Sequence, residues 1–170
     1  HFAFSYRVLD PSGDGLFQTG EEIRFKVIVH NTGQADSAET LVYVKNLARE
    51  SLYLEKGRAR LESIPAGGQA STEFVFDVKK APEDGDQVEL ELDIYDSTFR
   101  EFTQKTLSFP YLKADPVVLD ETTEGVATIT SPSTTLRGGA HAETPAVGKL
   151  QTGDKVPISG AVGDWWRVDD

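Results

Sequence analysis

The segment DPSGDGLFQTGE, residues 10–21, spaces oxygen-bearing residues as a calcium-binding loop does, and we call it the acidic loop. Calcium takes about six to eight oxygen ligands, and a twelve-residue loop can supply them from positions 1, 3, 5, 7 and 12. Those positions hold Asp10, Ser12, Asp14, the carbonyl of Leu16, and Glu21. Gly15 stands at position 6, where such a loop turns sharply. The spacing therefore predicts a structural calcium site.

The acidic loop also has the composition of an ordinary turn. Pro, Ser, Gly and Asp are the residues that most often reverse a chain, so a wide hairpin connection would use them too. Strands are predicted on both sides, RVL before the loop and IRFKVIV after it, which excludes a calcium sensor built from a helix pair. Three carboxylates exceed what a turn needs. This favours the metal, and repulsion among the carboxylates would loosen the loop without it.

Other catalytic or metal-binding patterns are absent from the sequence. There is no Cys, and His1, His30 and His141 have no spacing that pairs them as zinc ligands. No Gly-x-Ser-x-Gly motif provides a serine nucleophile. Carboxylate pairs such as Glu89 and Glu91 fall on the predicted solvent face of a strand. We therefore predict that this chain has no catalytic residues and is not an enzyme, although its parent protein could be a protease.

The charge balance restricts the partners. The formal net charge is -11 and the pI about 4.7, which argues against nucleic acid and against an anionic membrane surface, since both attract basic proteins. No apolar run is long enough to span a bilayer, so no membrane insertion is predicted. The chain contains no Met and begins at His1, and we expect it to be a fragment from which a signal peptide or upstream domains have been removed.

Alternating apolar residues predict antiparallel strands in the first two thirds of the chain. The clearest run is QVELELDIYD, and IRFKVIVHN and TEFVFDVKK repeat its period of two. About seven strands separated by turn signals predict an all-β fold with an immunoglobulin-like β-sandwich over residues 1–112. The segment LARESLYLEKGRARLES has a helix-like composition, but Gly57 and the alternation of Leu52 and Leu54 favour two short strands about a Lys-Gly turn.

The composition changes after residue 112. Residues 113–125, KADPVVLDETTEG, have the acidic and Pro-containing character of a linker. Short strand signals return in VATIT, TTLRG, AVGKL, KVPIS and DWWRVD, which predict a small SH3-like barrel over residues 126–170. A core of that size is marginal alone, so packing against the sandwich is expected to matter.

Two turns in the predicted sandwich carry a family resemblance. A strand ends in Asn-x-Gly at Asn31 and Gly33, and a later strand follows a Pro-x-Gly turn at Pro65 and Gly67. With these features, residues 21–78 resemble the CARDB-like and related immunoglobulin-like modules of bacterial exported proteins. The resemblance covers most of residues 1–112 and implies a sandwich fold.

Residues 134–169 carry a more specific resemblance, to bacterial SH3-like (SH3b) domains. The matching positions are Leu136, Arg137, Gly139, Val147, Leu150, Gly153, Val156, Gly163, Trp165 and Val168. Two features depart from that family. Ala140 stands where Pro is usual, and the chain stops before the last Gly-Trp-Val strand, so we predict a truncated barrel.

The pair Trp165 and Trp166 is the strongest candidate for binding within the barrel. Adjacent strand residues point to opposite faces, so one ring is expected in the barrel core and the other outside it. Resemblance to cell-wall-targeting SH3b domains implies that the outer ring, with Arg137 and His141 in the AHAETP loop, binds an extended peptide. The alternative is that this Trp packs against the sandwich or the linker.

Three functional hypotheses follow. The first is a calcium-stabilised, non-catalytic accessory region of an exported bacterial protein, which positions a partner domain or binds peptide or cell-wall polymer. The second rests on the YRVLDPSGDGLFQTGE opening, which resembles the region after the catalytic core of some proteobacterial tail-specific (carboxyl-terminal-processing) serine proteases and implies substrate recruitment. The third is a structural spacer. Each implies a secreted, periplasmic or cell-envelope location.

Overall fold

The computed structural model describes residues 1–96, 98, 102–113 and 119–169. Within these ranges the chain forms β-strands joined by turns, with one short 3-10 helix at Arg49–Ser51, and the all-β prediction is confirmed. The strands are β1 (Phe2–Leu9), β2 (Glu22–Asn31), β3 (Thr40–Asn46), β4 (Leu52–Leu54), β5 (Arg58–Leu61), β6 (Gln69–Val78), β7 (Gln87–Asp96), β8 (Phe102–Pro110), β9 (Gly125–Thr128), β10 (Ser133–Arg137), β11 (Ala146–Gln151), β12 (Lys155–Val162) and β13 (Trp165–Val168).

The first eight strands form two antiparallel sheets. One has the order β1-β2-β6-β4 and the other β5-β3-β7-β8. This order matches an immunoglobulin-like sandwich, in which the first, second and fifth main strands share one sheet and the third, sixth and seventh share the other. We refer to residues 2–111 as the sandwich.

The alternating residues point into the sandwich as the sequence predicts. On β2 the buried apolar residues are Ile23, Phe25, Val27 and Val29, and on β7 they are Val88, Leu90, Leu92 and Ile94. Aromatic rings pack between the sheets, with centroids 5.3 Å apart for Tyr6 and Phe25 and 5.0 Å apart for Phe17 and Phe109. Burial of these two faces accounts for the core, because each strand is apolar on one side only.

Asn31 joins the two turns that resemble CARDB-like modules. Its side-chain amide donates to the carbonyls of Ala35, at 2.8 Å, and Ile64, at 2.9 Å. The Gly67 amide donates to the Asn31 carbonyl at 2.9 Å. Asn31 is 3% exposed, so these bonds satisfy polar groups that water does not reach.

The segment with helix-like composition forms two short strands, as expected, but these strands do not pair with each other. β4 pairs with β6, and β5 pairs with β3 in the opposite sheet. The turn between them therefore crosses the edge of the sandwich. Gly57 lies in this turn, where a Cβ atom would come within 2.7 Å of the Val44 carbonyl oxygen.

The C-terminal strands β9 to β13 form two smaller sheets, β10-β11 and β13-β12-β9. The short strands predicted here are present, whereas the SH3-like closure and the boundaries at residues 113–125 stay predictions. Residues 114–118 of the predicted linker lie outside the described residues. Among residues 119–169, only Leu119, Thr144 and Gly160 are buried.

The prediction that one Trp fills a barrel core is wrong. Trp165 is 36% exposed and Trp166 62% exposed. Both rings lie on β13, which pairs with β12 and is the edge strand of its sheet among the described residues. Because β13 is an edge strand and few residues of the C-terminal strands are buried, both rings stay in contact with water.

Substitution of Phe25 tests the core. Phe25→Ala removes a fully buried ring, and we expect the free energy of unfolding to fall by about 3–5 kcal/mol in chemical denaturation followed by circular dichroism. The control is Phe102→Ala, which removes a ring that is 55% exposed on β8 and should change stability by less than about 0.5 kcal/mol. Equal effects of the two substitutions would contradict the assigned core.

Candidate functional site

The acidic loop connects β1 and β2, which pair with each other as far as Leu9 and Arg24. Its second half is fixed to the sandwich. Phe17 is fully buried, and its carbonyl accepts the Leu112 amide at 3.0 Å. The Thr19 and Tyr111 hydroxyls share a hydrogen bond of 2.7 Å. The loop is therefore a wide hairpin connection held against the core, as one of the two interpretations of the sequence expects.

Asp10 organises the first half of the acidic loop. Its carboxylate accepts the amides of Gly13 at 2.6 Å, Gly15 at 2.9 Å and Leu16 at 3.3 Å. It also accepts the Ser12 hydroxyl at 3.3 Å. Gly13 and Gly15 have φ angles of 78° and 72°, in the left-handed region that favours glycine. The backbone thus curls around one carboxylate.

Asp14 and Gln18 lie beside Asp10 and are almost fully buried, at 3% and 2% exposure. The Asp14 carboxylate accepts the Leu16 amide at 2.9 Å and the Gln18 side-chain amide at 3.4 Å. The carboxylates of Asp10 and Asp14 lie close together, since both accept the Leu16 amide. Two neighbouring carboxylates repel when both are ionised, so the pair favours a proton on Asp10 or a cation.

Glu21 closes the acidic loop with a carboxylate that lacks hydrogen-bond partners. Glu21 is 7% exposed, and neither of its carboxylate oxygens has a hydrogen-bond partner among the described residues. The Ser12 hydroxyl is near enough to lower the pKa of Glu21, but it donates its hydrogen bond to Asp10. The Gln18 side-chain oxygen is also buried and unpartnered. A buried acceptor without a donor loses its hydration with no compensation, which costs about 1–3 kcal/mol and more for a charged group. A metal ion could coordinate all of these oxygens, whereas a proton would neutralise only the Glu21 carboxylate.

Burial raises the pKa of two carboxyl groups in the acidic loop. Desolvation, together with the negative charges of Asp10 and Asp14, raises the pKa of Glu21 to about 7, against the opposing effect of the Ser12 hydroxyl. Desolvation and the contact with Asp14 raise the pKa of Asp10 to about 6, although the Gly13 and Gly15 amides oppose the rise. The folded loop therefore disfavours full ionisation of its carboxyl groups near neutral pH.

The donor set fits calcium in its chemistry. Every predicted ligand offers oxygen, and the loop carries three carboxyl groups. Each carboxylate has about four lone-pair positions, so bonds from loop amides leave capacity for a metal. As the side chains stand, no group of three or more His, Cys, Asp or Glu among the described residues is arranged to hold a metal ion. Calcium binding therefore requires the side chains of Glu21 and its neighbours to converge.

Gln18 is the residue of the site that sequence reasoning missed. It occupies position 9 of the twelve-residue loop, a position that often acts through a water molecule in calcium loops. Counting every odd position of the loop would have found it. The structure makes it a candidate because its buried amide bonds Asp14 through nitrogen and leaves its oxygen unpartnered.

The candidate ligand-binding residues of the C-terminal strands fall into two places. Arg137 donates to the Thr144 carbonyl at 2.7 Å, and the Thr144 hydroxyl donates to the His141 carbonyl at 2.7 Å. Arg137, at the end of β10, is therefore joined through Thr144 to His141 in the loop that follows. Trp165 and Trp166 lie on β13, which belongs to the other small sheet. The structure thus places the two aromatic candidates in a different sheet from Arg137.

One Ser–His contact occurs on the sandwich surface. The Ser5 hydroxyl and His30 Nε2 are 3.1 Å apart on neighbouring strands β1 and β2, and the contact is exposed to solvent. A serine nucleophile needs an oriented base and an enclosed site that stabilises the developing charge. An open sheet face supplies neither the enclosure nor preorganised donors, so this pair does not alter the assignment of the acidic loop as the candidate site.

No protein-family model and no curated protein matches the chain. Among solved structures, a FixG-related protein from Vibrio parahaemolyticus is similar, with 14% identity, a TM-score of 0.42, and coverage of 65% of this chain and 95% of that one. The CARDB domain of a Pyrococcus furiosus protein in complex with di-metal ions has 12% identity, a TM-score of 0.43, and coverage of 65% and 89%. The secreted serine protease VesC from Vibrio cholerae has 20% identity, a TM-score of 0.40, and coverage of 68% and 25%.

The fold and the site define this chain as an all-β, immunoglobulin-like sandwich with a carboxyl-rich loop. The sandwich is all-β and immunoglobulin-like in its strand order. Its distinguishing feature is a cluster of carboxyl groups held in the β1–β2 connection, with Glu21 buried and unpartnered.

The pKa of Glu21 predicts a pH-dependent stability in the presence of chelator. The folded pKa of about 7 lies above the ordinary value of 4.5, so the folded state binds more protons than the unfolded state between these pH values. The free energy of unfolding contributed by Glu21 is therefore largest below that window and falls as the pH rises through it. Glu21→Gln keeps the shape without the charge and should raise the thermal midpoint at pH 7.5 by a few degrees, with little change at pH 4.

The matched control for this experiment is Glu22→Gln. Glu22 is the exposed neighbour of Glu21, and its Oε1 atom lies 3.5 Å from Arg24 Nε. Its substitution should leave the pH dependence of the thermal midpoint as in the unchanged protein. If Glu21→Gln destabilises the chelated protein at pH 7.5, the account of a strained buried charge is wrong.

Proposed function

We propose that this chain is a non-catalytic accessory module whose acidic loop binds one structural calcium ion. The observation that carries the proposal is the Glu21 carboxylate, whose two oxygens are buried without a hydrogen-bond partner among the described residues. It belongs to the same loop as the neighbouring carboxylates of Asp10 and Asp14. A hairpin connection needs no such group. A divalent cation would neutralise the cluster and supply the missing partner.

The ligands would come from both ends of the acidic loop. The side chains of Asp10, Ser12 and Asp14 and the Leu16 carbonyl lie after β1, and Gln18 and Glu21 lie before β2. Bound calcium supplies positive charge and fixes the positions of several oxygens. Because Asp10 and Glu21 adjoin paired strands, the ion would hold together the open end of the β1–β2 hairpin.

The role that suits this site is stability in a calcium-containing environment. Calcium sites of extracellular modules bind with dissociation constants of about 10⁻⁴–10⁻³ M, which matches concentrations outside cells. We therefore propose a secreted, periplasmic or cell-envelope location, where the module would position a neighbouring domain. The described residues contain no helix with the length and apolarity needed to cross a membrane.

Calcium titration tests the proposal. Calcium should raise the thermal midpoint at pH 7.5, and chelator should reverse the rise, since a ligand at about 100 times its dissociation constant stabilises a protein by about 2.7 kcal/mol. Isothermal titration calorimetry should report about one site per chain. Glu21→Gln should abolish the calcium response although it stabilises the chelated protein.

The control variant is again Glu22→Gln, which should bind calcium as the unchanged chain does. Magnesium at equal concentration should have a smaller effect, because it requires a tighter octahedral geometry than a flexible loop provides. A thermal midpoint indifferent to calcium and chelator, with no heat of binding at millimolar calcium, would refute the calcium site.

A second proposed function concerns the exposed Trp166. Its ring is 62% exposed on an edge strand, and exposed aromatic rings are favoured contact residues in recognition surfaces. We propose that it contacts extended peptide or cell-wall polymer, as the SH3b resemblance implies. This function is compatible with the calcium site, because the two use different parts of the chain.

Trp166→Ala tests this second function. Binding to insoluble peptidoglycan or to an array of extended peptides should weaken by about tenfold or more if the ring is a central contact. Phe102→Ala, which removes a ring 55% exposed on the sandwich, serves as the control and should bind as the unchanged protein does. Absence of binding by the unchanged chain, or equal binding by Trp166→Ala, would leave Trp166 without this role.

A further inference from the structure

Two main-chain carbonyls of the acidic loop accept hydrogen bonds from the C-terminal part of the chain. The Ser12 carbonyl accepts the Leu119 amide at 2.8 Å, and the Asp14 carbonyl accepts the Ala140 amide at 2.7 Å. Ser12 and Asp14 are both predicted ligands through their side chains. The side-chain oxygens of these two residues therefore face the carboxylate cluster, whereas their main-chain oxygens face chain segments that are distant in sequence.

Glycines allow the acidic loop and the loop after β10 to approach backbone to backbone. A Cβ atom on Gly15 would lie 2.7 Å from the Gly138 carbonyl oxygen, and one on Gly139 would collide with the Gly15 carbonyl. Only glycine at these two positions permits this distance, because any side chain would occupy the space of the opposite backbone. The contact is thus built into both segments.

Leu119 fills the space between the acidic loop and β12. Its side chain is 7% exposed. A Cβ atom on Gly13 would lie 3.0 Å from Leu119 Cβ, and one on Gly160 would lie 2.8 Å from Leu119 Cδ1. An apolar side chain packed tightly against two glycines on different elements excludes water from the contact and stabilises it.

We propose that the acidic loop is the surface on which the C-terminal strands dock, and that calcium in the loop strengthens this docking. The proposal rests on the calcium site of the preceding section and extends it from one hairpin to the arrangement of the whole chain. The partner of the surface is the chain's own segment at Leu119 together with the loop at Gly139 and Ala140.

The coupling follows from which atoms are shared. When the side chains of Ser12 and Asp14 converge on an ion, their carbonyls are fixed in the same step, since both belong to one short stretch of backbone. Because these carbonyls are then already in position, the Leu119 and Ala140 amides can bond to them without further ordering of the loop. Ordering the loop before docking reduces the entropy lost on docking, which produces positive coupling between calcium and docking.

Trp fluorescence measures this coupling because both Trp residues of the chain, Trp165 and Trp166, lie on β13. The thermal midpoint detected by Trp emission therefore reports unfolding of the C-terminal strands, far along the chain from the loop. In the full chain, calcium should raise this midpoint. In Gly139→Ala the rise should be lost, whereas calorimetry should still detect calcium binding.

The matched control is Gly138→Ala, one residue away. A Cβ atom there meets its nearest neighbour, Val147 Cγ1, at 3.6 Å, which is ordinary contact, so the calcium-induced rise should persist. Ala140→Pro provides an independent variant, because it removes the amide that donates to Asp14 without placing a Cβ atom against the Gly15 carbonyl. It should reduce the rise even if Gly139→Ala does not fold. Since coupling is reciprocal, both docking variants should also bind calcium more weakly than the unchanged chain.

The outcomes separate the two proposals. Calcium binding with no effect on the Trp-detected midpoint would overturn the docking proposal and leave the calcium site intact. A calcium-induced rise of equal size in Gly139→Ala, Ala140→Pro and Gly138→Ala would also overturn it, because the contact would not transmit the effect. Absence of calcium binding in calorimetry of the unchanged chain would overturn both.

Discussion

The mutual repulsion and burial of carboxyl groups in the β1–β2 connection is the constraint on which the site depends. The carboxylates of Asp10 and Asp14 lie close together, and the carboxylate of Glu21 is buried without a hydrogen-bond donor among the described residues. The surrounding sandwich keeps water away, because Phe17 and Tyr111 anchor the loop against the core. A loop built in this way requires protons or a cation, and it is most strained when it has neither.

The acidic loop also contacts the C-terminal part of the chain. Loop residues that face the carboxylate cluster with their side chains face Leu119 and Ala140 with their carbonyls. The C-terminal strands bury few of their own residues, so they depend on contacts outside their two small sheets. The proposed calcium site would therefore stabilise the part of the chain whose own core is smallest.

Local pattern was sufficient to predict much of the fold. The inward faces of β2 and β7 follow from alternation alone, because a strand covered on one side must be apolar on that side. Alternation does not name a strand's partner, and β4 and β5, which adjoin one turn, join opposite sheets. It also assigns faces without saying whether a face is covered, which is why both Trp165 and Trp166 are exposed although one ring was predicted to fill a core.

In the acidic loop, too, some features could be predicted from neighbouring residues, whereas others depend on the folded chain. Its oxygen spacing is visible in twelve consecutive residues, and Gln18 is found by extending the count to position 9. The burial of Glu21 depends on the packing of the folded chain around the loop and has no local signature. The approach of Gly15 to Gly139 joins residues that are distant in sequence, and glycine in a predicted turn has many uses besides close contact.

The most direct test of the calcium site is a crystal structure grown with millimolar calcium at neutral pH, with anomalous data collected at long wavelength. The account predicts an anomalous peak between Glu21 and Asp14, surrounded by about six or more oxygens at about 2.3–2.6 Å, with the Glu21 carboxylate among them. Absence of that peak, with a water molecule or a protonated Glu21 hydrogen-bonded to its neighbours in the same place, would contradict the account.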